Sequence, residues 1–259
     1  MVTAAARVPL PRLIGSGVAP KLAHHAGVFR RGLVVLFAVL AATSSARAQG
    51  AANDCNGLDF DVGKPVIVAK VTASARQVPY VKGASQNASC PANIPACRSS
   101  DYLAPGDLVL ANGLRSPYTC VTHQSLQATQ QIWSNGWFPS ANLATVAPLG
   151  APRAADWIGT WTHPDGEIRI EQSNNGKLAI LGFQAYPGSQ NEHTGAMQAE
   201  VIPSGAFLAF ADDGSKPFGK DENECQVRMQ RVDALLIVED NGFCGRVAVT
   251  FTGFYKRKP

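Results

Sequence analysis

The sequence predicts an all-β protein, with two small antiparallel β-barrels joined by a short linker after an N-terminal signal peptide. Short runs that are β-branched or alternate polar and apolar residues recur along 49–259, and turn residues separate them. No run of ten or more residues there has a convincing helical apolar period. The stretch 144–155 is small, Pro-interrupted and unpatterned, which is typical of a linker. We therefore predict a leader at 1–48, one barrel at 55–147 and a second at 155–259.

The leader has the composition of an export signal. It holds six basic residues and no acidic one, and an apolar run occupies 33–42. That run fits a signal h-region of about 7–15 residues and is shorter than the roughly 20 residues of a membrane span. Ala46 and Ala48 supply the small residues of a cleavage site, so the mature chain is expected to begin at Gln49 and to keep no stable membrane span. An uncleaved anchor is the alternative.

Cleavage at this point changes the charge of the protein. The leader holds six of the 23 basic residues and none of the 19 acidic ones, so the mature chain keeps 17 against 19 and a net charge near −2. No basic stripe interleaved with aromatic residues remains. We therefore predict no nucleic-acid partner.

All six cysteines follow the predicted signal, and an even number in an exported chain favours disulfides. Six cysteines allow 15 pairings, but two separately folding halves with four and two cysteines allow only three. Among these we favour Cys55–Cys120, Cys90–Cys97 and Cys225–Cys244. Zinc-type spacing of Cys and His is absent, so we predict no metal site.

The first barrel is expected to begin with a β-branched strand at 65–71. Asn, Ser, Pro and Ala dominate 83–100, which predicts a long loop pinned by its own bridge. After a turn at 105–107, further strands are predicted at 108–111, 118–122 and 131–133.

The segment 135–143 predicts the closing turn of this barrel. Gly136 permits a close turn, Trp137 and Phe138 put apolar mass on the two faces of a short strand, and Pro139 ends the ladder because it has no N–H. The run Gly-x-Phe-Pro-Ser resembles the end of Src-homology-3-like barrels, where it leads through a single helical turn into the last strand. Bacterial variants of that fold often recognise cell-wall peptides or act as spacers. The eukaryotic groove has a Tyr where this chain has Asn142, so the resemblance does not extend to proline-rich ligands.

The second barrel is predicted from eight short strand candidates across 157–256. Alternation is regular at 167–171 and 226–230, and Asn175-Gly176 predicts a hairpin turn before a strand at 177–181. The final strand, 247–255, is expected to be the longest.

The start of this second region carries another resemblance. Gly159-Thr160-Trp161 is similar to the opening of the first strand in eight-stranded calycin barrels of the lipocalin and avidin superfamily, where the Trp plugs the closed end. A barrel of about 100 residues is small enough to be filled by its own side chains. Small periplasmic barrels that inhibit lysozyme share this size and a disulfide.

Groups for catalysis are isolated in the sequence. His163 and His193 lie in turn-rich stretches and are expected to face solvent. His123 follows a strand that contains Cys120, but a disulfide at Cys120 would leave no nucleophile.

The acidic residues of the second region do not predict a metal or catalytic site either. Those near Lys216 and Lys220 lack the spacing of a calcium loop and predict a solvated loop; they are Asp212, Asp213, Asp221, Glu222 and Glu224. The pair Glu239-Asp240 is followed by Asn241-Gly242, so it indicates a hairpin first, and a catalytic carboxylate pair is the remote alternative. We predict no catalytic residue, no metal, no cofactor and no enzyme activity.

With no catalytic or metal site predicted, ligand binding through surface aromatic residues is the remaining kind of function. Five aromatic residues could form such a binding surface: Tyr80, Tyr102, Tyr118, Trp133 and Trp137. The preferred candidates are Tyr102, Trp133 and Trp137; a place in the barrel core is the alternative for Trp137. The predicted function is an exported, periplasmic or secreted, non-catalytic binding or structural module of the bacterial cell envelope, with peptidoglycan or an envelope protein as partner. The alternatives are an inhibitor of a lysozyme-type hydrolase, acting through a loop near 240–245, and a carrier of small hydrophobic ligands.

Overall fold

The computed structural model describes residues 54–125, 132–186, 193–212 and 216–259. Within these ranges the all-β prediction is confirmed, because the chain forms two antiparallel sheets and a single short α-helix. The predicted signal peptide at 1–48 lies outside the described residues, as do Gln131 and Asp213.

The first sheet contains seven antiparallel strands: β1 Ile67–Val71, β2 Val78–Val81, β3 Arg98–Leu103, β4 Leu108–Ala111, β5 Tyr118–Gln124, β6 Trp133–Pro139 and β7 Leu143–Val146. Their order across the sheet is β3-β2-β6-β5-β4-β1-β7. Strands β1, β4 and β5 lie where the sequence predicts them. The pieces predicted at 131–133 and 136–139 belong to one strand, β6.

The sequence did not predict β2 and β3. β3 lies at the edge of the sheet and exposes most of its residues, so its sequence RSSDYL has no apolar alternation to reveal it. The loop predicted at 83–100 is accordingly shorter, and a 3-10 turn at Pro95–Cys97 ends it.

The closing segment of this sheet has the predicted sequence of elements. A 3-10 turn at Ser140–Asn142 follows Pro139 and leads into β7. Phe138 is fully buried in the core of the sheet, and Trp137 packs on the opposite face with Val81 and the Cys90–Cys97 bridge.

The expectation that Gly136 makes a turn is wrong. It lies inside β6, opposite Val121. A Cβ at Gly136 would come within 2.7 Å of Cδ1 of Tyr80, so the residue is needed for close approach of an aromatic ring.

The second sheet contains eight antiparallel strands: β8 Gly159–His163, β9 Gly166–Gln172, β10 Leu178–Tyr186, β11 His193–Val201, β12 Phe207–Ala211, β13 Gln226–Val232, β14 Leu235–Asp240 and β15 Gly253–Arg257. Their order is β11-β10-β9-β8-β15-β14-β13-β12. The end strands β11 and β12 approach each other, so the sheet forms a nearly closed barrel. One helical turn, α1 (Ala154–Trp157), precedes β8.

The prediction that 247–255 is the longest strand is wrong. β15 begins only at Gly253, and the longest strands are β10 and β11, with nine residues each. Ala248 has φ +70°, which is incompatible with an extended strand. Trp157, the first residue of the patterned region, lies in α1, and the first strand begins at Gly159.

Aromatic side chains fill the middle of the second sheet. Trp157, Trp161, Phe251 and Tyr255 are fully buried in one cluster. Nε1 of Trp161 donates a hydrogen bond of 2.8 Å to the carbonyl oxygen of Trp157. The centre of this barrel is therefore packed with its own side chains, as a small barrel requires.

The two sheets contact each other through a shared apolar cluster. Val66, Val68 and Leu110 from the first sheet region pack with Val232, Ile237 and Phe254 from the second, and all six are buried. The division into barrels at 55–147 and 155–259 stays a prediction about independent folding.

Three disulfides join Cys55 to Cys120, Cys90 to Cys97 and Cys225 to Cys244, the pairs that the sequence favours. Such bonds persist in oxidising compartments, which favours a place outside the cytoplasm. Among the described residues, no helix has the length and apolar character needed to cross a membrane.

Candidate functional site

Residues 54–66 precede β1 and contact both sheets; we call them the bridging segment. Near its beginning, Cys55 is joined to Cys120 of β5. In the middle, the backbone N–H of Asp59 donates to Oδ1 of Asn112 at 2.9 Å, and Nδ2 of Asn112 donates back to the Asp59 carbonyl. The segment is thus fastened to the first sheet before it reaches the second.

Arg228 of β13 holds the other end of the bridging segment. Its guanidinium donates hydrogen bonds of 2.9 Å to the carbonyl oxygens of Asp61, Val62 and Lys64. It also lies 5.6 Å from the centre of the Phe60 ring, which allows a cation–π contact.

Glu239 completes this arrangement. It lies directly opposite Arg228 on β14, and Nε of Arg228 donates to its Oε1 at 2.6 Å. The carboxylate also accepts the backbone N–H of Val66 at 3.3 Å. Burial raises the pKa of Glu239, and the hydrogen bond from Arg228 opposes that rise. Glu239 therefore helps to position the bridging segment.

The bridging segment and the two sheets enclose a cleft of about 770 Å³. Five buried residues form its floor: Val66, Thr122, Gln226, Glu239 and Asp240. The remaining walls combine apolar side chains with amides and carboxylates, and include Leu58, Asp59, Phe60, Trp133, Asn135 and Glu222.

Asp240 ends β14 at the floor of the cleft, and its two carboxylate oxygens differ. Oδ1 accepts hydrogen bonds from the Thr252 hydroxyl at 2.7 Å, from the Thr252 N–H at 3.2 Å and from the Thr250 hydroxyl. Oδ2 has no hydrogen-bond donor among the described residues, and neither has the buried Oγ1 of Thr122, which lines the same cleft. Buried polar atoms without partners are rare in folded proteins, so both atoms are candidates for ligand contact.

No family model, no curated protein and no solved structure matches this chain. The resemblances to Src-homology-3-like and calycin barrels therefore stay predictions that rest on short motifs.

The three preferred binding residues lie in different places. Trp133 lines the cleft at the start of β6. Trp137 is only 8% exposed and lines a separate pocket of about 260 Å³ with Tyr80. Tyr102 is 51% exposed on the edge strand β3, opposite Pro79. The two tryptophans therefore line different pockets, and these adjoin each other because Asn56 and Asn135 line both.

The other aromatic candidates lie outside the cleft. Tyr80 is buried, its hydroxyl is 2.9 Å from Oγ of Ser134, and burial raises its pKa to about 12. Tyr118 lines a third groove of about 600 Å³ together with Pro139 and Asn142. That groove includes the position at which the resemblance lacks its Tyr.

The prediction that His163 faces solvent is wrong. The side chain is 7% exposed, its Nε2 contacts the side-chain amide of Gln124, and its ring centre is 5.0 Å from that of Tyr255. Burial lowers the pKa of His163 to about 4. The residue is therefore neutral at physiological pH and belongs to the contact between the sheets.

The remaining polar candidates have structural contacts. Nδ1 of His123 is 2.9 Å from the Leu108 carbonyl, and that of His193 is 2.6 Å from the Val247 carbonyl. Nζ of Lys216 is 2.8 Å from Asp221 and 2.5 Å from Glu224. Within the described ranges, no group of three or more His, Cys, Asp or Glu side chains could hold a metal ion.

The hairpin predicted at Asn241-Gly242 is wrong in its extent, because residues 241–252 connect β14 to β15. Asn241 instead attaches to the preceding loop, where its Nδ2 donates to the carbonyls of Glu222 at 3.0 Å and Glu224 at 2.7 Å. The Cys225–Cys244 bridge closes the same turn, which leaves Phe243 55% exposed at its surface.

Sequence reasoning missed Thr122 and the bridging segment as parts of a site, and it placed Asp240 in a hairpin or an inhibitory loop instead of a cleft. Arg228 bonds carbonyls 164 to 167 positions away, and no local pattern marks such a contact. The only available signal was the adjacent pair Glu239-Asp240, since both residues are buried at the end of a strand that otherwise reads as apolar.

Proposed function

We propose that this protein is an exported, non-catalytic binding module of the bacterial cell envelope, and that it binds peptidoglycan in the cleft beside the bridging segment. The predicted signal peptide and the three disulfides support a periplasmic or secreted location. The observation that carries the proposal is the position of Trp133, which lines the cleft among amide and carboxylate side chains. Aromatic and apolar surface with a few polar groups is the usual composition of a ligand site.

The way the cleft is built favours binding. A disulfide, the Asp59–Asn112 hydrogen bonds and the Arg228 contacts fasten the bridging segment that forms one wall. A wall that is already ordered loses little conformational freedom when a ligand binds, so more of the contact energy appears as affinity.

The two floor carboxylates already have structural partners. Glu239 is paired with Arg228 and holds Val66, while Oδ1 of Asp240 is occupied by two threonines. A pair of carboxylates acting on a glycosidic bond must instead both face the substrate. These contacts support a binding role over hydrolysis.

The test is retention of the protein, purified after export of the full chain, on insoluble peptidoglycan. Trp133→Ala should reduce retention strongly because it removes the indole ring from the wall of the cleft. Tyr102→Ala is the matched control: it removes an exposed aromatic residue on β3, away from the cleft, and should leave retention unchanged. Equal retention of both variants, with melting temperatures like that of the parent, would contradict the assignment of the cleft.

A second candidate is inhibition of a lysozyme-type hydrolase, favoured by the turn 241–244. This turn is held by Asn241 and by the Cys225–Cys244 bridge, and it presents Phe243 to solvent. A rigid turn with an exposed aromatic residue suits insertion into an enzyme cleft. A lysozyme assay with the parent protein and Phe243→Ala tests it: inhibition that Phe243→Ala removes would support this function.

The carrier alternative has weaker support. A hydrophobic ligand would require an open apolar cup, and Trp157, Trp161, Phe251 and Tyr255 fill the middle of the second sheet.

A further inference from the structure

We infer that the cleft accepts a primary ammonium group of its ligand, and that Oδ2 of Asp240 and Oγ1 of Thr122 receive its N–H donors. The inference rests on the proposed function, since it takes the cleft as the ligand site. It adds a chemical requirement that retention on a cell wall alone would not reveal.

The first support is the charge of the cleft. Five carboxylate residues line it: Asp59, Asp221, Glu222, Glu239 and Asp240. None of the described residues that line it is Lys, Arg or His. Arg228 pairs with Glu239 and Lys216 pairs with Asp221 from outside the lining, which leaves three carboxylates without an ion pair among the described residues. The cleft therefore favours a cation.

Acidic residues around a cleft are common on solvated surfaces, so two buried oxygen atoms without hydrogen-bond partners are the more specific observation. Asp240 is only 7% exposed and Thr122 only 5%, yet Oδ2 of one and Oγ1 of the other have no partner among the described residues. Leaving a buried carboxylate oxygen without a donor is unfavourable. A ligand that brings both N–H groups and positive charge removes that cost for both atoms.

The hydrogen bonds of Asp240 discriminate between kinds of cation. A guanidinium binds a carboxylate best through two parallel N–H bonds, one to each oxygen. Here Oδ1 is already occupied by Thr250 and Thr252, so only Oδ2 is available. An ammonium has three donors and needs only a single oxygen of each partner, so the one available oxygen of Asp240 is sufficient for it.

The remaining walls suit the chain that carries such an ammonium. Leu58, Val62 and Trp133 provide apolar surface along the cleft. Methylene stems of long amines pack on surface of this kind while their charged ends reach polar groups. An amino group on a wall stem peptide and a lysine side chain share this chemistry.

The experiment compares retention of the exported full-length protein on untreated peptidoglycan and on the same material after acetylation with acetic anhydride. Acetylation removes the positive charge of free amino groups and leaves the protein unaltered, so no folding defect can enter the comparison. Retention should fall at least tenfold. Nα-acetyl-L-lysine amide is then added as a competitor. If it displaces the protein from untreated walls, a lysine-type ammonium is sufficient for binding. If it does not, although acetylation of the walls reduces retention, the ammonium that binds belongs to the stem peptide.

Asp240→Asn provides the complementary change. The amide keeps a carbonyl oxygen for Thr250 and Thr252 and places an NH₂ group where Oδ2 stood, so the fold should be retained and ammonium binding should weaken at least tenfold. Asp233→Asn is the matched control, because it removes one charge from an exposed position with φ +50°, which asparagine tolerates well. It should bind like the parent.

The outcomes separate the inference from the proposed function. Equal retention on acetylated and untreated walls, with Trp133→Ala still defective, would overturn the ammonium inference and leave wall binding in place. Failure of the parent protein to bind walls, with Asp240-dependent binding of Nα-acetyl-L-lysine amide, would overturn wall binding and support the ammonium site. No binding of either probe would overturn both.

Discussion

Protonation of His163 should weaken the contact between the two sheets. Its Nε2 faces the side-chain amide of Gln124, whose Oε1 accepts the Phe254 N–H at 2.7 Å and so fixes the amide orientation. Nδ1 of His163 lies 3.4 Å from the backbone N of Asp165, so both ring nitrogens face N–H donors, and a second proton on the ring would add a charge and an unpaired donor in a buried site. Burial lowers the pKa of His163 from 6.5 to about 4, so the unfolded chain binds a proton more readily than the folded one.

The sign and size of the effect follow from this difference. The contribution of neutral His163 is fully present above pH 6.5, declines as the pH falls from 6.5 to about 4, and is constant below that. Since one pKa unit corresponds to 1.36 kcal/mol, the free energy of unfolding should fall by about 3 kcal/mol across this interval.

The assay is urea unfolding of the parent and of His163→Gln from pH 7.5 to pH 4. Glutamine keeps an uncharged polar group in the site, and carboxylates contribute equally to both proteins, so the difference between the two curves isolates His163. The parent should lose about 3 kcal/mol more than the variant. A difference that stays constant across this pH range would refute the reasoning, as would a His163 pKa near 6.5 measured by NMR titration.

Two other substitutions test the contacts that build the cleft and the first sheet. Arg228→Met should destabilise the protein by about 3–5 kcal/mol, because it leaves Glu239 buried without its cation, and addition of Glu239→Gln should recover much of that loss in urea unfolding. Gly136→Ala should cost about 1–3 kcal/mol, because its Cβ would lie 2.7 Å from Tyr80; a thermal melt like that of the parent, or no recovery with Tyr80→Leu, would contradict this explanation.

Local sequence patterns predicted the elements whose burial is local. The β-branched run of β1 and the alternating residues of β9 and β13 predict strands, because each of these strands buries the side chains on one or both of its faces. The edge strand β3 has no such face and escaped prediction. The apolar run 247–252 predicted a strand but forms none, because Asp240 binds the hydroxyls of Thr250 and Thr252 and Ala248 takes a left-handed conformation.

The candidate site was harder to predict because it is assembled from distant parts of the chain. Trp133 was the one preferred aromatic residue that reached the cleft, and another wall of that cleft is a bridging segment that Arg228 orders from more than 160 positions away. Asp240 looked like part of a hairpin in the sequence. Its free oxygen becomes apparent only when the threonines that occupy the other oxygen are known.

The contact between the sheets and the candidate site are physically linked. Gln124, which contacts His163, is paired in the sheet with Trp133 of the cleft wall, and Thr122 of the cleft floor lies two positions earlier on the same strand. Loosening Gln124 should therefore disturb the cleft as well as the interface. A ligand that binds only the folded protein raises its free energy of unfolding, and once the ligand concentration exceeds Kd this increase grows with the logarithm of that concentration. Folding stability should decline between pH 6.5 and about 4, whereas ligand affinity should decline only as the pH approaches about 4, where His163 of the folded protein gains its proton; His163→Gln should suppress both declines.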